Sequence, residues 1–204
     1  MTKLDIFLAG VGGQGSLTAS RILGETATRA GLNVVVGEIH GMAQRGGVVE
    51  STVRIGDVHG PIVDDRGADV LLGFEPVETV RALAKVGPET LVITSTRPIV
   101  PATLALAGEN YPEVEPLLAR ILEVTPRLVS LDAAALAQEA GAAQAMNTVL
   151  LGVLAGATEL PFPIELLRET ILENVPPRAH DVNRRAFEAG LAFGRTAVPA
   201  ASAT

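Results

Sequence analysis

The apolar run Leu4 to Ala9 ends at a glycine cluster, Gly10, Gly12, Gly13 and Gly15, after which Leu17, Ile22 and Leu23 recur at close to helical spacing. This pattern predicts a strand, a tight turn and a helix. Gly31 stands where a helix C-cap would fall, and the valine-rich run Asn33 to Val36 predicts a second strand, so the opening reads as a right-handed βαβ unit. Residues 38 to 47 are barely enough for another helical crossover and read as a structured loop. Val49, Ser51, Val53 and Ile55 then alternate with Val48, Glu50, Thr52 and Arg54, and Gly56 with Asp57 offers a turn toward Val58 and Ile62. A hairpin there makes the sheet mixed.

Val70 to Gly73 and Leu91 to Thr94 are strands separated by a helical stretch, Pro76 to Lys85, with Gly87 and Pro88 as the stop signal. Leu128 to Leu131 reads as another strand, and the proline-marked stretch Arg97 to Pro116 as a short strand with a surface excursion. From Asp132 onward the chain is alanine-rich, with helices expected at 133–140, 144–156, 163–174 and 180–195, the last burying Phe187, Leu191 and Phe193. The expected fold is α/β: a three-layer α/β/α, Rossmann-like domain over residues 1–197, with a mostly parallel sheet, one hairpin excursion and a C-terminal helical segment. Residues 198–204 read as a flexible tail.

Composition narrows the chemistry. The 204 residues carry 16 Lys and Arg against 23 Asp and Glu, a net charge of −7, and only 3% aromatics, which lacks the basic stripe and stacking rings of nucleic-acid binders. There is no cysteine, so this chain supplies no thiolate to an iron–sulfur cluster or zinc, and its lack of thiols fits the cytoplasm. The longest apolar stretch, Val149 to Ala157, is too short to span a bilayer. Three scattered histidines, 40, 59 and 180, offer no metal-ligand spacing, and no bound metal is expected. No G-x-S-x-G elbow surrounds Ser16, Ser20 or Ser51.

Two segments gather polar chemistry. Gly10-Val-Gly-Gly-Gln14-Gly15 satisfies G-x-G-x-x-G after a strand and at the head of a helix, where backbone amides and the helix dipole favour a phosphate or carboxylate. A tight turn that only packs helix on sheet satisfies the same pattern. Glu38, at the end of the second strand, stands where a dinucleotide site places its ribose-binding acid. The following loop holds His40, Gly41, Gln44, Arg45, Gly46 and Gly47, a histidine for proton transfer and an arginine for forked binding of an anion. Its other reading is a structural loop in which Arg45 pairs with Glu38.

GVGGQG after the first strand, GEIHGMAQRGGVVESTVRIG in the middle and MNTVLLGVLAG near residue 150 resemble the gamma-type subunits of 2-oxoacid:ferredoxin oxidoreductases, over about residues 3 to 195. Chain length and spacing are most similar to the smaller subunit of the indolepyruvate-specific members. The resemblance implies a non-catalytic subunit, inactive alone, of an enzyme that decarboxylates a 2-oxoacid to an acyl-CoA and passes electrons to ferredoxin. It implies that thiamine diphosphate, Mg and the iron–sulfur clusters sit in a partner subunit, with CoA as co-substrate. It further implies that Gly12 to Gly15 and the loop 40–47 help shape the CoA end of that partner's active site, and it assigns no catalytic residue to this chain. A homodimer is compatible with it. The alternative is a stand-alone NAD(P)- or flavin-binding oxidoreductase using Gly10, Gly12, Gly13, Gln14, Gly15 and Glu38 as its cofactor site.

Overall fold

A computed structural model describes residues 3–40, 47–100 and 110–197. Strand β1 (Leu4–Val11) leads through the glycine turn into α1 (Ser16–Arg29), then β2 (Val34–His40), β3 (Val48–Ile55) and β4 (Ala68–Gly73) follow. Helix α2 (Pro76–Arg81), continued as a 3-10 turn to Lys85, joins β4 to β5 (Val86–Ser95); α3 (Val114–Leu122) precedes β6 (Leu128–Leu131). Four further helices close the chain: α4 (Ala133–Ala140), α5 (Met146–Ala157), α6 (Ile164–Glu173) and α7 (His180–Ala197).

The six strands form one sheet in the order β2-β3-β1-β4-β5-β6. β1 pairs parallel with β4, β4 with β5, and β5 with β6, whereas β3 is antiparallel to both β1 and β2. Five strands therefore share one direction, and their carboxyl ends share one edge. The expected excursion is present, but its partner differs. The hairpin is β2 with β3, and β3 is inserted between β1 and β2, separating the two strands of the opening βαβ unit.

Residues 57–63 form no strand; they cross the sheet as a loop held by its polar groups. Arg54 Nη1 donates to the carbonyls of Gly60 (2.9 Å) and Ile62 (2.6 Å), and Thr52 Oγ1 donates to that of Pro61. Gly37 makes room, since a Cβ there would lie 2.6 Å from Pro61 Cβ. At the amino end of the sheet the same Arg54 grips the buried Asp5 carboxylate at 2.9 Å, a pairing that raises the guanidinium's pKa.

Two more expectations are corrected. Gly87 and Pro88 lie within β5, at a bulge: Ala68 pairs with Val86 and Val70 with Leu91, so the proline occupies a stretch free of ladder bonds. In the region 97–116 no strand occurs among the described residues; α3 begins at Val114 instead. Pro116 read as a breaker, but it falls in the first turn, where a missing N–H costs nothing.

Helices cover the two faces unequally. Ile6, Leu8, Val53, Val70, Leu72 and Ile93 look toward α1 and α4 to α7, while Phe7, Ala9, Leu71 and Val92 look toward α2, the 3-10 turn and α3. The heavier layer is locked by an unusually close pair, α5 and α7. Gly152 and Gly156 of α5 face Gly190 and Gly194 of α7, and a Cβ on any of the four would strike a backbone carbonyl of the opposite helix.

Candidate functional site

The glycine turn sits at the carboxyl edge of the sheet, the edge at which open α/β sheets hold ligands. Gly13 (φ 103°) and Gly15 (φ 83°) have left-handed backbones that side chains rarely adopt. Gly15 is also the N-cap of α1, with no side chain among the described residues satisfying the first amides of that helix. Gly12 N–H donates to the Gly47 carbonyl at 2.8 Å, so the turn is tied directly to the end of the polar loop.

Gln14 lines the groove beside the turn and is engaged with the main chain. Its Oε1 accepts from Val11 N–H and its Nε2 donates to the Phe74 carbonyl, both at 2.7 Å, which clips the end of β1 to the turn after β4. Gly10 fits beneath this clip; a Cβ there would lie 2.8 Å from Phe74 Cβ and 3.0 Å from Gln14 Oε1.

Glu38 lies on β2 opposite Ser51, exposed, with Ser20 of α1 donating to its carboxylate at 3.4 Å. Because β3 intervenes, β2 stands two strand spacings, about 10 Å, from β1. A dinucleotide site instead has its acid on the strand next to the glycine turn. His40 ends β2 and pairs with Val49 through the backbone. Gly41, Gln44, Arg45 and Gly46 lie outside the described residues; Gly47 lies inside them.

A groove of about 460 Å³ opens against the turn, lined by Gly13, Gly15, Thr18, Arg97, Gln144 and Asn147 among others. Asn147 abuts the turn: a Cβ on Gly15 would lie 2.9 Å from its Nδ2. Arg97 is anchored by Asp132, with Nη2 to Oδ2 at 2.7 Å, while Asp132 also caps α4 by accepting from Ala135 N–H at 2.9 Å. Burial opposes charge on Asp132, but the Ala135 amide and the guanidinium outweigh it and hold its carboxyl below the usual range. The groove thus presents uncapped helix amides and one oriented cation, an arrangement suited to an anionic ligand.

Sequence reasoning missed a buried acidic cluster beside this edge. Glu75, 1% exposed, caps α2 by accepting from Glu78 N–H at 3.0 Å, and also accepts from Ile99 N–H (3.3 Å) and the Tyr111 hydroxyl. The Tyr111 oxygen in turn accepts from Val77 N–H. Burial, then the bond to Glu75, push the Tyr111 pKa well up. Glu78 is 6% exposed; Arg81 donates to its Oε1 at 2.7 Å, but its Oε2 is buried with no partner among the described residues. Burial raises its pKa, opposed by Arg81 and reinforced by Glu75 and Glu50. The available signal was Glu75-Pro76-Val77-Glu78, an acid before an N1 proline with another acid at N3.

This chain has no thiolate with which to ligate an iron–sulfur cluster. It has no cysteine, and its described residues contain no group of three His, Asp or Glu that could hold a metal ion. No described helix is long and apolar enough to cross a membrane.

The fold is that of known oxoacid oxidoreductase subunits. It superposes on the gamma subunit of a keto/oxoacid ferredoxin oxidoreductase from Geobacter sulfurreducens with a TM-score of 0.70 and 22% identity, over 95% of this chain and 99% of that one. It also superposes on a 2-oxoglutarate:ferredoxin oxidoreductase from Magnetococcus marinus (TM-score 0.74, 21% identity), where 96% of this chain covers 32% of the longer one. The chain belongs to the pyruvate ferredoxin/flavodoxin oxidoreductase family, whose profile matches residues 5–193. Among its relatives is the indolepyruvate oxidoreductase subunit IorB of Archaeoglobus fulgidus, 44% identical over 188 residues, 92% of this chain and 94% of that protein.

Proposed function

We propose that this chain is the small, non-catalytic subunit of a 2-oxoacid:ferredoxin oxidoreductase, of the type that oxidises indolepyruvate to an acyl-CoA and passes the electrons to ferredoxin. The observation that carries this reading is the 44% identity to an IorB subunit over nearly the full length of both chains. The absence of cysteine supports a division of labour, because any cluster must then be ligated by another polypeptide. Thiamine diphosphate, magnesium and the clusters belong, in this reading, to that larger partner.

This chain's contribution is to build one wall of a shared site. Gly12 to Gly15 present α1's first amides and Arg97 is held facing the groove by Asp132; from the sequence, this reading adds His40, Gly41, Gln44, Arg45, Gly46 and Gly47 to the same wall. Such a wall suits the phosphates of CoA, the anionic co-substrate of the reaction class. The displaced position of Glu38 argues against the alternative of a self-sufficient dinucleotide oxidoreductase.

Anaerobic reconstitution tests the reading. Neither this chain nor the cluster-bearing partner, each purified alone, should reduce ferredoxin with indolepyruvate and CoA; the mixture should. Saturable NAD(H) binding by the chain alone, with no gain on mixing, would refute the subunit assignment. In the active mixture Arg45→Ala should raise KM for CoA; unchanged CoA kinetics would remove this loop from the CoA site.

A further inference from the structure

On the lighter face of the sheet, α2 and α3 cover β1, β4, β5 and β6, and among the described residues only the 57–63 loop crosses β2 and β3. A depression of about 320 Å³ remains between them, lined by Phe7, Ile39, Glu50, Pro61, Ile62 and Lys85 among others. Ile39 and Ile62 stand at it 72% and 74% exposed, with Val48 beside them at 40%. A branched apolar pair so open to water marks a surface that another molecule covers.

The polar groups say what kind of molecule. Ile39 pairs across the ladder with Glu50, and Glu50 with Ala9, which places Glu50 between the apolar patch and α2. Glu50 itself lines the depression and is half-buried there. The cation that lines the depression, Lys85, is already engaged with Asp65 at 2.7 Å. A second copy of this chain would bring the same acids and a charge of −7 against them.

We propose that the β2–β3 face docks a basic, apolar segment of the larger partner subunit, one hydrophobic side chain filling the depression at Ile39 and Ile62 and a neighbouring Lys or Arg lying against Glu50. This rests on the subunit reading above. The cation offsets the charge of Glu50 at the rim of the depression, and the apolar contact removes both isoleucines from water.

The test is the affinity of the full-length chain for the purified partner subunit, by calorimetry, at low and high salt. Ile39→Asp, Ile62→Asp and Glu50→Lys should each weaken binding by about tenfold or more. Wild-type binding should weaken with salt, and that of Glu50→Lys should weaken less. Leu122→Asp, at an exposed apolar residue on α3 toward the other sheet edge, should bind as wild type. Ile39 and Ile62 are open, so their variants should melt at the wild-type temperature; if one unfolds, the other decides the matter. Unchanged binding by folded Ile39→Asp and Ile62→Asp would overturn the docking face while leaving the subunit reading intact, as would a homodimer that Ile62→Asp abolishes. If the wild-type chain does not bind the partner at all, the subunit reading itself falls.

Discussion

Gln14 carries more of the site's architecture than any other polar side chain in the glycine turn. Its side chain makes two hydrogen bonds to the main chain, one at the end of β1 and one just after β4, and removing it leaves Val11 N–H and the Phe74 carbonyl without those partners. Gln14→Ala should therefore cost about 1–3 kcal/mol in urea unfolding, with activity of the assembled enzyme falling as the turn loosens. Glu78 makes an opposite kind of prediction. Its folded pKa lies above the ordinary 4.5, so the native chain holds a proton that the unfolded chain has released, and stability contributed by this group declines as pH rises through that window. Glu78→Gln should raise Tm of the isolated chain at neutral pH and flatten its decline above pH 4.5. Asp132 runs the other way: its lowered pKa gives stability present above about pH 3.8 and lost as the carboxylate is protonated below it. Asp132→Asn should reduce the loss of Tm on acidification.

At the scale of elements, the α5–α7 pair inverts the usual helix rule. Alanine is the better helix former by roughly 1 kcal/mol, yet Gly190→Ala drives a methyl into the Val149 carbonyl of the facing helix. We expect a net destabilisation of about 1–3 kcal/mol, readable as a lower urea midpoint with unchanged m-value. The helices themselves were legible, because 133–140, 146–157, 164–173 and 180–197 each carry an apolar stripe bounded by proline, glycine or a cap. The reason for glycine at 152, 156, 190 and 194 was not, since it lies on the opposite helix about 40 residues away. Pro88 and Pro116 misled for a related reason: a proline breaks regular structure only where its N–H is needed, and a bulge and a first turn do not need it.

For the whole molecule, the sheet order decides what the carboxyl edge can bind. With β3 between β1 and β2, the acid at 38 moves away from the glycine turn, and Gly47, just before β3, is bonded to that turn through Gly12. If this is a shared wall, CoA should raise Tm of the assembled complex but not that of the isolated chain. NAD(H) should raise neither, a result that thermal melts with each ligand would check.

Local order along the chain was enough to determine most of the strands and helices, the glycine turn and the incapacity for cluster chemistry, and the motifs at 10–15, 37–56 and 146–156 carried the family. Each of those properties depends on residues a few positions apart, which periodicity and residue type record directly. Tertiary structure alone decided that β3 pairs with β1 as well as β2, that Gln14 is a clip, and that Glu75, Glu78 and Tyr111 meet in one buried cluster. Those outcomes turn on which surfaces remain to be buried after the elements form, and burial joins residues such as 75 and 111 that no local pattern relates.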